Sequence, residues 1–121
     1  MLADEFKIQT DEAPNNHGGQ GALLVKLTGY LDAHTYERLD QHIAGLFAAK
    51  RHRLIVDLSG VEYISSAGAG VFIGALTDAQ EQKGAVVLLN PTTNVREVLE
   101  MLGFHQIFKI ANTLDEALKA V

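Results

Sequence analysis

Ile55-Val56-Asp57-Leu58-Ser59-Gly60-Val61-Glu62-Tyr63-Ile64-Ser65-Ser66-Ala67-Gly68-Ala69-Gly70 starts as a buried apolar strand, crosses a short polar turn and enters a helix that opens on paired serines. A hydroxyl just ahead of a helix caps backbone N–H groups that have no intrahelical partner. The same end of a helix accepts negative charge, because its dipole and its free donors face the anion. A serine there can be a cap, a nucleophile or a seat for phosphate. The surrounding residues must separate the three.

Downstream, Val71, Phe72, Ala75, Leu76 and Ala79 fall on one helical face that closes near Gln82-Lys83-Gly84, and Ala85-Val86-Val87-Leu88-Leu89 reads as a strand. Asn90-Pro91 has the form of an N-cap followed by proline at the first helical position. Val95, Val98, Leu99 and Leu102 make the buried face of that helix, and Gly103 stops it. Gln106-Ile107-Phe108-Lys109-Ile110 is expected as a last strand. Thr113-x-x-Glu116 is a capping box ahead of Leu114, Ala117, Leu118 and Val121.

Upstream, Phe6-Lys7-Ile8-Gln9-Thr10 alternates as a short edge strand does, and Ala22-Leu23-Leu24-Val25-Lys26-Leu27 is a second strand. Between them Asn15-Asn16-His17-Gly18-Gly19-Gln20-Gly21 is turn-rich, so a mobile loop is expected near residues 13–21. Tyr36, Leu39, Ile43, Leu46 and Phe47 share a helical face, with Asp32 or Thr35 as its cap. Leu54-Ile55-Val56-Asp57-Leu58 is apolar enough for a central strand covered on both faces. The order β-β-α-β-α-β-α-β-α predicts an α/β fold with a mostly parallel sheet whose first strand is antiparallel.

The chain has 121 residues, enough for one domain with its own core and too few for two of ordinary size. Hydrophobic residues make up 47% and charged residues 21%, the balance of a globular protein rather than a disordered one. Cysteine is absent, which excludes disulfides and thiolate zinc sites. No apolar run approaches the ~18–20 residues that cross a bilayer. The opening Met1-Leu2-Ala3-Asp4-Glu5 lacks the basic start and apolar stretch of a signal peptide, so a cytoplasmic protein without membrane partners is expected. A net charge of -5 argues against nucleic-acid binding. The one basic cluster, Lys50-Arg51-His52-Arg53, joins a helix end to a strand, where cations suit the helix C-terminus.

Gly68-Ala69-Gly70 resembles the start of a dinucleotide fingerprint, but Ile73 stands where the third glycine belongs and a polar turn separates it from the strand. No cofactor is expected. The small residues are read instead as letting the helix lie close to the sheet. A nucleophile elbow around Ser66 would need glycine two residues earlier, and Ile64 is there. Of the five histidines, His34 and His42 lie eight apart on the predicted helix, His17 is in the loop, His52 in the basic junction and His105 after a helix-ending glycine. None has the spacing of a helix-borne metal couple, so no metal site is expected. Asp32 reads as a turn or cap residue and Asp57 as a strand-exit residue, neither with a partner that would make it an acid or base. The serine turn remains, either as a simple cap or as a cap beside a phosphorylation switch.

The segments Val56-Asp57-Leu58-Ser59-Gly60-Val61 and Ser66-Ala67-Gly68-Ala69-Gly70-Val71 resemble the central signature of STAS domains, more narrowly that of the bacterial anti-sigma factor antagonists. Leu27-Thr28-Gly29-Tyr30-Leu31-Asp32-Ala33-His34-Thr35 resembles the family's segment between second strand and first helix. The order of elements agrees over essentially the whole chain. The resemblance implies one STAS domain over residues 1–121 that acts by partner switching. In such families the unmodified antagonist binds an anti-sigma factor, usually a serine kinase of the histidine-kinase-like ATPase fold, and so frees a sigma factor. The kinase phosphorylates one serine of the antagonist and breaks the complex, and a PP2C-type phosphatase restores it.

Aligned through Gly68, the phosphorylated serine falls on Ser66, and Asp32 matches an acidic residue near it in space. The family commonly carries aspartate just before the acceptor and a hydroxyl residue just after. Here Ser65 and Ala67 stand in those places, which makes Ser65 a rival acceptor. Asp32, Thr35, Ser65, Ser66, Ala67 and Ala69 are the expected partner-binding residues. By the same resemblance the protein is not an enzyme, and is a monomer that forms heteromeric complexes. The alternatives are a STAS regulator of a non-sigma target, a serine hydrolase using Ser66, and a purely structural module.

Overall fold

A computed structural model describes residues 5–14 and 21–121, so the central part of the loop expected to be mobile, residues 15–20, lies outside the described residues. The elements are β1 (Lys7–Glu12), β2 (Leu23–Leu31), α1 (Tyr36–Ala48), β3 (Arg53–Ile64), α2 (Ser66–Glu81), β4 (Ala85–Leu89), α3 (Thr93–Met101), a 3-10 turn (Phe104–Gln106), β5 (Ile110–Ala111) and α4 (Leu114–Ala120). The five strands form one sheet in the order β1-β2-β3-β4-β5, with β1 antiparallel to β2 and the remaining pairs parallel. This is the mixed, mostly parallel α/β architecture expected from the element order.

Alternation along the strands divides the apolar residues between two cores. Val25, Leu27 and Leu31 of β2, Leu54, Val56 and Leu58 of β3, and Val86 and Leu88 of β4 meet Leu39 and Ile43 of α1, Phe72 and Leu76 of α2, and Val95 and Leu99 of α3. On the other face Ile55, Val87 and Leu89 meet Ala117 of α4, with Leu114 and Leu118 packed at its side. Three helices therefore cover one face, and the short α4 covers part of the other.

The β1–β2 hairpin is closed by the Ala13 N–H, which donates to the Ala22 carbonyl at 3.0 Å. Side chains then tie β1 to its surroundings. Thr10 Oγ1 and His42 Nε2 share a 2.7 Å hydrogen bond to α1. Arg51 donates from Nη1 to Glu12 Oε2 at 2.7 Å and from Nη2 to Glu12 Oε1 at 2.9 Å, a fork on a carboxylate. Those hydrogen bonds hold the Glu12 carboxyl below its ordinary value.

Four local expectations are corrected. The residues after Leu58 do not turn: β3 continues to Ile64 because it stays paired with β2 through two register shifts, between Lys26 and Thr28 and between Gly29 and Tyr30. The last strand is Ile110–Ala111 rather than residues 106–110, because left-handed Gly103 leads into the 3-10 turn and Phe104 stacks on Phe108 at 5.1 Å. Helix α3 is capped by Thr92, whose hydroxyl accepts from the Val95 N–H at 3.4 Å; Asn90 is left-handed at φ 51° and Pro91 precedes the cap. His34 lies in the turn before α1, so it shares no helix with His42. Among the described residues no helix is long and apolar enough to cross a membrane.

The entry into β4 is tight. A Cβ on Gly84 would run into the His52 carbonyl, whereas a Cβ on Gly74, exposed in the middle of α2, would meet nothing within 4 Å. The same substitution should act with opposite sign at the two places. In urea unfolding, Gly84→Ala is expected to destabilise by at least about 2 kcal/mol. Gly74→Ala is expected to stabilise by about 0.5–1 kcal/mol through helix propensity. A Gly84→Ala protein as stable as the parent contradicts the packing described for the β3–β4 entry.

Candidate functional site

Parallel pairing of β2 with β3 sets Tyr30 opposite Tyr63 and Leu31 opposite Ile64. The two sequence segments singled out above thus end side by side at the carboxyl ends of two neighbouring interior strands. The Ser65 N–H donates to the Leu31 carbonyl at 3.0 Å, extending the pairing by one bond beyond the strand. Ser65 is extended (φ −98°, ψ 169°), its carbonyl accepts the Ala69 N–H at 2.8 Å, and its Oγ accepts the Gly68 N–H at 3.1 Å. That is an N-cap in full.

Ser66, the first helical residue, is exposed, and its hydroxyl has no hydrogen-bond partner among the described residues. The adjacent serines therefore differ. One hydroxyl is used to begin the helix; the other points into solvent beside the same free N–H groups. Gly68 is buried, and a Cβ there would come 2.5 Å from the Leu31 carbonyl oxygen and 2.8 Å from Leu31 Cγ, so the first turn of α2 rests directly on the end of β2.

After Leu31 the chain turns at once. Asp32 Oδ1 accepts the His34 N–H at 2.9 Å, and Thr35 Oγ1 accepts the Asp32 N–H at 2.9 Å while donating to the Tyr30 carbonyl at 2.8 Å. Thr35 stands at the N-cap position of α1 but makes no side-chain cap bond; the start of α1 is closed by the Tyr36 N–H donating to the Asp32 carbonyl at 2.9 Å. The expected capping of α1 by either side chain is corrected accordingly. Asp32 and Thr35 fasten a turn instead. The Leu31 carbonyl, which accepts the Ser65 N–H, sets that turn beside the opening of α2.

Two expectations about the small residues need correction. Ala69 is 0% exposed and belongs to the main core, so its side chain is unavailable to a partner. Gly70 is exposed with nothing within 4 Å of an added Cβ, so it does not serve close packing on the sheet, as buried Gly68 does. Ala67 is exposed, as expected of a surface residue.

Two features escaped the sequence. Tyr63 is 49% exposed and lies against Tyr30, ring centroids 5.8 Å apart. Each tyrosine precedes its turn residue by two positions, Tyr30 before Asp32 and Tyr63 before Ser65, and that shared offset was the signal available. Second, Ser66, Gly70 and Gly74 recur every four residues and are all exposed, giving the outer side of α2 a row of small residues, with exposed Ile73 and Thr77 next to it. Neither serine hydrogen-bonds to a histidine, so a base for nucleophilic chemistry is not in place among the described residues. Nor do the described residues gather three His, Cys, Asp or Glu side chains around a metal-sized gap.

A family model described as the STAS domain matches residues 13–117. A protein of Bordetella bronchiseptica, BtrV, provisionally named an anti-sigma factor antagonist, is 33% identical over 100 residues that cover 83% of this chain and 86% of that protein. The anti-sigma-B factor antagonist of Listeria monocytogenes is 27% identical over 111 residues, 92% of this chain and 93% of that protein. The crystal structure of an anti-sigma factor antagonist from Mycobacterium paratuberculosis superposes with a TM-score of 0.83 at 24% identity, covering 99% of this chain and 97% of that one, a likeness of fold.

The unequal use of the two hydroxyls can be measured. Ser65→Ala is expected to lower stability by about 1 kcal/mol through loss of the cap. Ser66→Ala should leave it within about 0.5 kcal/mol, as an exposed first-turn position does. Equal losses in thermal or urea melts would show that both hydroxyls hold the helix.

Proposed function

The chain belongs to the STAS domain family, alongside the anti-sigma factor antagonists, and from that membership we propose that it works as a partner switch with Ser66 as its phosphorylated residue. Unmodified, it binds an anti-sigma factor and so frees a sigma factor. A serine kinase activity of that partner, of the histidine-kinase-like ATPase fold, transfers the γ-phosphoryl group of ATP to Ser66 Oγ, releasing ADP and the hydroxyl proton. A PP2C-type phosphatase returns the hydroxyl by hydrolysis. The protein is thus a binding partner and a kinase substrate with no chemistry of its own, acting in the cytoplasm.

One observation carries the choice of Ser66. The Ser65 hydroxyl is committed to the Gly68 N–H, while the Ser66 hydroxyl is exposed and unpartnered among the described residues. Modifying Ser65 would break the cap; modifying Ser66 leaves the fold intact. A phosphate at the first helical residue sits well with the helix dipole. It also adds roughly two negative charges to a surface that a partner must desolvate.

The row of small residues on the outer side of α2 supports the same account. Glycine inside a helix destabilises it by about 0.5–1 kcal/mol relative to alanine, and here the fold itself does not require Gly70 or Gly74. A partner lying along this face could approach the backbone closely, with Ser66 at its upper end. Exposed Ala67 and the turn at Asp32, held by Thr35, border the same edge.

The test is incubation with the cognate kinase and ATP, followed by mapping of the phosphorylated residue and calorimetry with the anti-sigma partner. Phosphate on Ser66 is expected, together with wild-type affinity for Ser66→Ala and at least about tenfold weaker binding for Ser66→Asp, the scale on which like-charge or desolvated contacts act. Gly70→Gln is expected to keep or raise thermal stability while weakening the complex by a similar factor. Label on Ser65 alone, or equal affinities for the alanine and aspartate variants, would sink the assignment.

A further inference from the structure

We propose that a cleft at the opposite end of the sheet from Ser66 is a binding site for a phosphate-bearing anion. Helix α2 runs 16 residues between the two places, ~24 Å at helical rise. The cleft, about 100 Å³ in volume, is lined by Gly21, Lys50, His52, Arg53, Lys83 and Gly84, with Gln82 at its side. It is walled by three permanent cations and no carboxylate, in a chain of net charge -5. Asp78 and Glu81 border the adjoining depression instead. The neighbouring Arg51 is already paired with Glu12, and among the described residues no salt bridge engages Lys50, Arg53 or Lys83.

The two lysines are placed against local preference, and in the same way. In α1 the Lys50 N–H donates to the Phe47 carbonyl at 2.9 Å and the Arg51 N–H to the Leu46 carbonyl at 3.0 Å. In α2 the Lys83 N–H donates to the Gln80 carbonyl at 3.0 Å and the Gly84 N–H to the Ala79 carbonyl at 2.7 Å. Both helices thus end in a Schellman motif, whose left-handed position normally holds glycine. Here that position holds lysine both times, at φ 66° and φ 61°. A side chain in that region is strained relative to glycine.

Capping does not explain the choice. The last-turn carbonyls accept backbone N–H groups, and neither ammonium group is hydrogen-bonded to a carbonyl among the described residues. What the two strained positions share is the rim they form. They bring two lysines to the cleft, which Arg53, the first residue of β3, also lines. Tetrahedral oxyanions with more than one negative charge match such a set through charge-assisted hydrogen bonds, with the Arg53 guanidinium able to take two oxygens at once. The site is independent of the switch at Ser66.

The probe is inorganic phosphate, titrated into the full chain and followed by amide chemical shifts, with sodium chloride at matched ionic strength as reference and glycerol phosphate as a monoester arm. Saturable shifts are expected at Lys50, Arg53, Lys83 and Gly84. Tighter binding of the monoester points to a phosphorylated small molecule, and tighter binding of inorganic phosphate to the free ion. The decisive variant is Lys50→Gly with Lys83→Gly, which relieves both strained positions. Its melting temperature should rise while phosphate affinity falls at least about tenfold. Lys26→Gln with Lys109→Gln, removing the same charge elsewhere, should keep affinity within about twofold. Absence of saturable shifts, or equal loss in the charge-matched control, overturns the proposal.

Discussion

The hydrogen bond from the Ser65 N–H to the Leu31 carbonyl is the joint on which the surface depends. Leu31 is fully buried, so its carbonyl is held by the core rather than by the turn that follows. The same oxygen lies where a Cβ on Gly68 would have to go. One fixed acceptor therefore sets the end of β3, the start of α2 and the height of the first turn above the sheet. Asp32 follows Leu31 directly, and its position is inherited from that anchor. Residues more than thirty positions apart in sequence become one edge because a parallel sheet ends its neighbouring strands together.

That anchor also explains how two adjacent serines acquire separate duties. The extended backbone at Ser65 turns its Oγ back over the first turn, where Gly68 can donate to it. One residue later the backbone is helical, and the next hydroxyl is carried outward. A serine cap supplies an acceptor oxygen without a formal charge. The Ser65 cap therefore adds no negative charge to this helix opening. A carboxylate in place of Ser65 would cap equally well but would leave the site already charged.

Much of the fold is legible in the sequence. The apolar run at Leu54 to Leu58, the helical stripes and the turn residues were enough for the element order, and the order implied the sheet. What escaped was information held in pairing. Ser59, Gly60 and Glu62 look like a turn, yet they lie in β3: Gly60 pairs with Thr28, and Ser59 and Glu62 are taken up at the two register shifts while pairing with β2 resumes beyond them. Asp57 Oδ1 accepts from the Ser59 N–H at 2.9 Å, a local bond that suggests a turn and here sits within a strand. The stretch from Gln106 to Ile110 has strand composition, but Phe108 gains more by stacking on Phe104 inside the core than by extending along β4. At the site, the identity of the serines was readable and their division of labour was not, since a backbone angle separates them.

Helix α2 illustrates why outward-facing residues say most about function here. Val71, Phe72, Ala75, Leu76 and Ala79 are buried on its inner side, and each of the larger three, Val71, Phe72 and Leu76, contributes roughly 1.5–3 kcal/mol to folding. Losing about 1 kcal/mol of propensity at each of Gly70 and Gly74 is small beside that. The inner face thus holds the helix in place whatever its outer face carries. Selection on the outer face is then free of the demands of folding, and a residue that weakens the helix without touching anything in the chain is best understood through something the chain touches. Two such glycines stand in register with exposed Ser66, on an element fixed at one end by Leu31, and this is the face on which the proposed partner switch relies.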